Sequence, residues 1–146
     1  MTAMAAAEYS VLVKRTPEDV YAFLAEGLNN PAWRTGVRSI SLASGPAGKE
    51  GAVYAQRIAG PGGREIAGDY EITEARPGEV IRFQVIAGPA RPHGVFLLTP
   101  EPGGTKVSFG LVFEPTGLMK LMGGMVQKTM DHEVAQLENL KTVLER

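Results

Sequence analysis

Glu133 stands where an apolar residue is expected. Val126, Met130, Glu133, Leu137, Leu140 and Leu144 follow one another at alternating steps of four and three, the spacing that aligns side chains on one stripe of a helix. Every other member is apolar, so the Glu133 carboxylate points toward whatever the helix packs on. A carboxylate so placed either finds a partner or keeps its proton. Beside a cavity, a proton-holding carboxyl is a general acid or base. The structural alternatives are a side chain reaching the helix rim, or a hydrogen bond to Tyr54, Tyr70 or Gln56. His93 follows Arg91-Pro92 at the start of a strand and is the other group able to move a proton near neutral pH. Glu133 and His93 are therefore the candidate catalytic pair, with a surface histidine at a strand end as the plainer reading of His93. His132 falls on the polar side of the helix. Two histidines without acids at ligand spacing make no metal site, and the absence of cysteine excludes thiol chemistry and disulfides. No metal and no cofactor are expected.

Other groups suggest binding rather than bond-making. Trp33 is the sole tryptophan and follows Pro31 on a short helical turn, where it gates or lines a pocket or else lids the core. Met119, Met122, Met125 and Met130 crowd the start of the long helix. Flexible thioethers suit an adaptable pocket or ordinary core filling. Gly123-Gly124 inside a helix costs about 1 kcal/mol per glycine relative to Ala. The pair predicts a kink, a break or a close approach, with Leu118–Met122 as a movable flap. Gly45-Pro46-Ala47-Gly48-Lys49 lacks the spacing of a phosphate loop, and Glu50 stands where Ser or Thr is needed, so it is a turn. Arg91, in the loop Gly88–Pro92, is a surface arginine or a neighbour of the cavity mouth.

These groups must be held by a sheet and three helical pieces. Tyr9, Val11 and Val13 alternate within a first strand, Glu8–Lys14. Thr16-Pro17-Glu18-Asp19 starts a helix by capping, proline placement and first-turn acids, with Val20, Phe23, Leu24 and Leu28 as its apolar face. Strands are predicted near Val37–Ala43, Ala52–Ala59, Glu65–Ala75, Glu79–Ala87, His93–Thr99 and Lys106–Glu114. Short turns rich in Gly and Pro join most of them, which implies an antiparallel meander. Alternation turns Val107, Phe109, Leu111 and Phe113 inward, with Tyr70, Ile72, Ile81 and Phe83. Tyr54, Gln56 and Ile58 are expected inward and Arg57 outward.

The chain of 146 residues is read as one domain over residues 8–146 after a flexible N-terminus, residues 1–7. A net charge of -1 gives no reason to expect nucleic acid as a partner. No apolar run is long enough for membrane insertion, and the small apolar start lacks the flank of a secretory signal. A cytoplasmic protein, monomer or homodimer, is the expectation.

The order strand, short helices, meander and long C-terminal helix resembles the helix-grip fold of START domains and the birch-pollen allergen. The local motifs resemble the polyketide cyclase/dehydrase-like branch of that SRPBCC superfamily. They are Thr16–Leu24, the turn Asn30-Pro31-Ala32-Trp33, Ile72-Thr73-Glu74 with Pro77 and Ile81-Arg82-Phe83, and Gly103-Gly104-Thr105-Lys106-Val107. The resemblance implies an α+β fold: a curved antiparallel sheet of about seven strands wrapped around the long C-terminal helix, with two short helices after the first strand. It also implies a hydrophobic cavity between sheet and helix. The leading functional expectation is binding of a small hydrophobic or aromatic molecule, lipid- or polyketide-like. The expected lining is Tyr54, Gln56, Tyr70, Phe83 and Phe109 from the sheet, and Met122, Met125 and Thr129 from the helix, with Trp33 near the mouth. A cyclase, dehydratase or isomerase using Glu133 is the first alternative. A non-catalytic interaction module with a filled core is the second.

Overall fold

The computed structural model describes residues 4–146, and the side chains of Pro61, Leu118, Met119 and Met122 lie outside the described set. The first strand, β1 (Ala5–Val13), leads into α1 (Pro17–Ala25), a 3-10 turn at Gly27–Asn29 and the single-turn helix α2 (Asn30–Trp33). Then come β2 (Val37–Ser44), β3 (Val53–Ala59), β4 (Glu65–Ala67), β5 (Tyr70–Arg76), β6 (Val80–Val85), β7 (His93–Glu101) and β8 (Gly104–Phe113). A 3-10 segment, Gly117–Met122, precedes α3 (Gly123–Ala135) and α4 (Leu137–Leu144). The sheet has eight strands, all pairings antiparallel, in the order β1-β8-β7-β6-β5-β3-β2, with β4 paired to β3 off that path. This is the expected α+β helix-grip architecture.

Local chemistry starts each element as anticipated. Thr16 Oγ1 accepts the Asp19 amide at 3.1 Å and Pro17 fills the first turn of α1. Val20 and Leu24 are buried by that helix, whereas Leu28 lies beyond its end and is exposed. On β8, Val107, Phe109, Leu111 and Phe113 are buried in strict alternation, so the inner face of the sheet is apolar.

Three boundaries depart from expectation. Glu65–Ala75 is two strands rather than one, which raises the count from seven to eight. The break falls at Gly68-Asp69, where the Asp69 carboxylate accepts the Gln56 amide at 3.2 Å and supplants a ladder partner. Strand β1 starts at Ala5, paired with Phe113, inside the stretch expected to be flexible. The C-terminal helix is interrupted at Gln136. There the Gln136 amide bonds back only three residues to Glu133 O, at 3.2 Å, a local 3-10 turn. The break expected at Gly123-Gly124 falls at the junction of the 3-10 segment with α3, and among the described residues no atom beyond the helix's own backbone lies within 4 Å of where either Cβ would be.

The core lies between the inner sheet face and the helices. Val126, Met130, Leu137 and Leu140 are buried along the predicted stripe, joined by Val134. The open edge of β1 is covered by side chains of the C-terminal helices. Gln127 donates to Ala6 O at 2.8 Å, Lys141 donates to Leu12 O, and the Lys14 amide donates to Glu145 at 2.8 Å. Such cover removes an unpaired edge that would otherwise recruit another strand. No helix of the described residues is long and apolar enough to cross a membrane.

Candidate functional site

One aromatic side chain from each of five neighbouring strands forms a row across the inner face of the sheet. Tyr54 of β3 stacks on Tyr70 of β5 at 5.4 Å between ring centroids, and Tyr70 meets Phe83 of β6 edge-on at 5.5 Å. Phe83 lies 5.9 Å from Phe96 of β7, and Phe96 stacks on Phe109 of β8 at 4.4 Å. Antiparallel register places them: Tyr54 is opposite Tyr70, and Phe96 is opposite Phe109. Phe83 is opposite Gly94, and a Cβ on Gly94 would overlap the Phe83 ring. Trp33 of α2 caps the row, edge-on to Phe96 at 6.0 Å and to Phe109 at 6.2 Å. Pairs of this geometry add roughly 0.5–1.5 kcal/mol each beyond area burial.

A buried polar cluster sits at the Tyr54–Tyr70 end. The Asn30 side-chain amide donates to Gln56 Oε1 at 3.0 Å and to the Tyr70 hydroxyl at 3.1 Å, and Gln56 donates to Gly68 O at 3.2 Å. The Tyr54 hydroxyl donates to Glu26 at 3.1 Å and accepts the Gly48 amide at 2.9 Å. Burial pushes the Tyr70 phenol up to about 12, against smaller lowering by the Asn30 hydrogen bond and the Arg34 charge. Tyr54 is raised for the same first reason. Gly27 makes this packing feasible, since a Cβ there would overlap the Tyr70 hydroxyl.

Glu133 finds a partner that was not among those anticipated. Arg34 Nη2 lies 3.1 Å from Glu133 Oε2, and the two side chains are only partly exposed. The same junction carries two further links. Gln136 accepts the Thr35 amide at 2.9 Å and donates to Thr35 Oγ1 at 3.1 Å, and Asn139 donates to Trp33 O at 3.1 Å. The helix interruption at Gln136 is thus also a docking point for the segment after α2. Two buried donors, Trp33 Nε1 and Arg34 Nε, have no hydrogen-bond partner among the described residues.

The interior space is small. A cavity of about 20 Å³ lies between α1, α2 and the sheet, with Asn30, Arg34 and Tyr70 as its polar wall. Leu24, Ala25, Ile72 and Phe83 are among its apolar neighbours. That volume suits about one water molecule. A larger groove, about 330 Å³, is open to solvent on the outside of β1 beside Leu12, Pro102 and Lys106. It lies away from both the aromatic row and the buried polar cluster, so the interior is the better candidate site.

The anticipated lining residues divide accordingly. Tyr70 and Phe83 border the cavity, while Tyr54, Gln56 and Phe109 are buried within the same core. Arg57 points outward, as expected. Trp33 is buried as a lid over the core, not at a mouth. Met125 and Thr129 face solvent, one helical position short of Val126 and Met130, which take the inward stripe. The Met122 side chain is outside the described residues. His93 is exposed at the start of β7 and forms no hydrogen bond with Glu133. Asn30, Arg34 and Phe96 complete the site without having been anticipated. Glu133, Gln136 and Asn139 recur every third residue beside the apolar stripe, a polar line that could have pointed to the docking of α2.

The family model described as polyketide cyclase/dehydrase and lipid transport matches residues 4–145. No curated protein matches the chain. Among solved structures, TTHA0849 from Thermus thermophilus is 22% identical, with a TM-score of 0.78 and 97% of each chain covered. A START superfamily protein from Mycobacterium smegmatis is 15% identical, with a TM-score of 0.78, covering 96% of this chain and 97% of that one. Ara h 8.0201 is 14% identical, with a TM-score of 0.69, covering 97% and 98%. At these identities the likeness is one of fold.

Proposed function

This chain belongs to the polyketide cyclase/dehydrase and lipid-transport family, and we propose that it binds a small hydrophobic or aromatic molecule, lipid- or polyketide-like, between the sheet and the C-terminal helices. The aromatic row carries the reading. Five rings in stacked, tilted or edge-on contact face an interior that also holds a buried polar cluster, the combination of apolar wall and few polar groups typical of ligand sites. Burial of the ligand's apolar surface would contribute about 25 cal/mol per Å² before association costs.

At about 20 Å³ the interior must open to admit such a molecule. The segment before α3 is the part best suited to move. Leu121 is 84% exposed and Met125 57% exposed, so these apolar side chains contribute little to the core. Gly123-Gly124 lies between them, with no close neighbour among the described residues to require glycine. Sparse packing of this kind marks the low-stability end of a fold.

The small cavity specifically favours the second reading, an interaction module with a filled core. Equilibrium dialysis with N-phenyl-1-naphthylamine separates the two. Ligand binding predicts saturable uptake by the wild type and at least about tenfold weaker uptake by Ala25→Leu, which overfills the cavity wall. The filled-core reading predicts no saturable uptake by either protein. The catalytic reading, with Glu133 as acid or base, has a different signature: Glu133→Gln abolishes turnover and leaves apolar binding in place.

A further inference from the structure

We infer that the interior receives a neutral carbonyl oxygen of the bound molecule, held by Arg34 Nε and the Tyr70 hydroxyl. The inference rests on the binding reading above and specifies the chemistry of the ligand's polar end.

Arg34 and Tyr70 both line the same small space. Arg34 spends Nη2 on Glu133, while its buried Nε has no partner among the described residues. The Tyr70 hydroxyl accepts from Asn30, and no acceptor among the described residues takes its own proton. A phenol with an ordinary value of 10.0 is protonated at neutral pH and burial raises this one further, so the hydroxyl is available as a donor. The Asn30 amide already donates to both Gln56 and Tyr70 and so holds the phenol oxygen in place. A buried donor without an acceptor is costly, so an oxygen that meets both donors gains more than one in water would.

Charge selects the kind of oxygen. The Arg34 guanidinium is matched by Glu133 at 3.1 Å. A ligand carboxylate would place a second anion beside one cation in a partly desolvated site, which is unfavourable. A ketone, ester or quinone oxygen accepts from both donors without adding charge. The space holds little more than that oxygen, and the apolar body of the molecule lies toward Phe83 and Phe96 once the interior opens.

Three matched probes test this by equilibrium dialysis: 2-acetylnaphthalene, 2-ethylnaphthalene and 2-naphthoate. The wild type should bind the ketone about tenfold or more tighter than the hydrocarbon or the carboxylate. Tyr70→Phe and Arg34→Met should each lower the ratio of ketone to hydrocarbon affinity about tenfold, whatever either change does to apolar binding itself. The infrared carbonyl stretch of the bound ketone should fall to lower frequency in the wild type and recover in Tyr70→Phe, a readout that does not depend on Arg34→Met folding. Equal affinity for ketone and hydrocarbon would overturn the carbonyl site while leaving interior binding intact. Tightest binding of 2-naphthoate would overturn the preference for a neutral oxygen. Failure of all three probes to bind would overturn the binding reading and this inference with it.

Discussion

Glu133 Oε2 lies 3.1 Å from Arg34 Nη2, joining α3 to the residue that follows α2 across 99 positions of sequence. With Thr35–Gln136 and Trp33–Asn139, the pair makes a polar seam between the C-terminal helices and the segment that lids the aromatic row. Residual exposure of 16% for Arg34 and 27% for Glu133 puts the pair between a surface ion pair and a buried one.

That intermediate exposure sets the expected cost of breaking the pair. Surface pairs contribute about 0.2–1 kcal/mol, and loss of one partner from a buried pair costs about 3–5 kcal/mol. Glu133→Gln should therefore destabilise the protein by about 1–2 kcal/mol in urea melts. The double variant Arg34→Met with Glu133→Gln should lose less than the sum of the single changes. Strict additivity would show that the two side chains do not act as a pair.

Gly27 should tolerate no side chain. Its Cβ would overlap the Tyr70 hydroxyl and meet two Tyr54 ring carbons at 2.8 and 2.9 Å. Gly27→Ala is expected to cost about 1–3 kcal/mol through overpacking and to change the near-ultraviolet circular dichroism of the stacked tyrosines. A neutral substitution with an unchanged spectrum would contradict the stacked arrangement.

Tyr70 should be the last of the four tyrosines to ionise. Its phenol is pushed up to about 12, chiefly by burial, against an ordinary value of 10.0. The native state thus holds this proton more tightly than the unfolded chain does. The Tyr70 contribution is intact below pH 10 and is lost as pH rises toward 12. Absorbance titration should show a late step that Tyr70→Phe removes.

The acid limb involves the cover over β1. Hydrogen bonding from Lys141, then from the Lys14 amide, holds the Glu145 carboxyl below its ordinary value of 4.5. The folded state binds this proton less readily than the unfolded chain. The link is present above pH 4.5 and is lost as pH falls through the lower folded value. The protection of the α4 amides, taken relative to intrinsic exchange at each pH, should fall on acidification in the wild type. Glu145→Gln should show the lower protection already at neutral pH.

Gly123→Ala and Gly124→Ala should each stabilise the protein by about 0.5–1 kcal/mol, since Ala is the better helix former and no neighbour among the described residues obstructs a Cβ. If these glycines serve as the hinge for opening, association of N-phenyl-1-naphthylamine should slow in both variants. Stopped-flow fluorescence would show this, and an unchanged rate would exclude the hinge.

The fold was legible in the sequence because period-two alternation and turn chemistry act locally. The inward faces of β5, β6 and β8 and the apolar stripe of α3 and α4 follow from those patterns alone. Four rings of the aromatic row were accessible in the same way. Phe96 was not, because Val95, Phe96, Leu97 and Leu98 are apolar on both faces of β7 and alternation has nothing to separate. Glu133 was visible as an oddity, but its partner was not, since Arg34 is brought to it only by the tertiary docking of α2. The interruption at Gln136 has no Gly or Pro signal and accompanies hydrogen bonds to Thr35. Cavity volume was beyond sequence reading altogether, being the small difference between the space enclosed and the summed side chains that fill it.

Native mass spectrometry of the protein purified gently from its own host tests the central claim most directly. Binding in the interior predicts a discrete added mass of one small apolar molecule, retained in the folded ion and lost under denaturing conditions. A folded ion with the bare polypeptide mass, the same before and after denaturation, would contradict the ligand-binding account and support a core filled by the protein's own side chains.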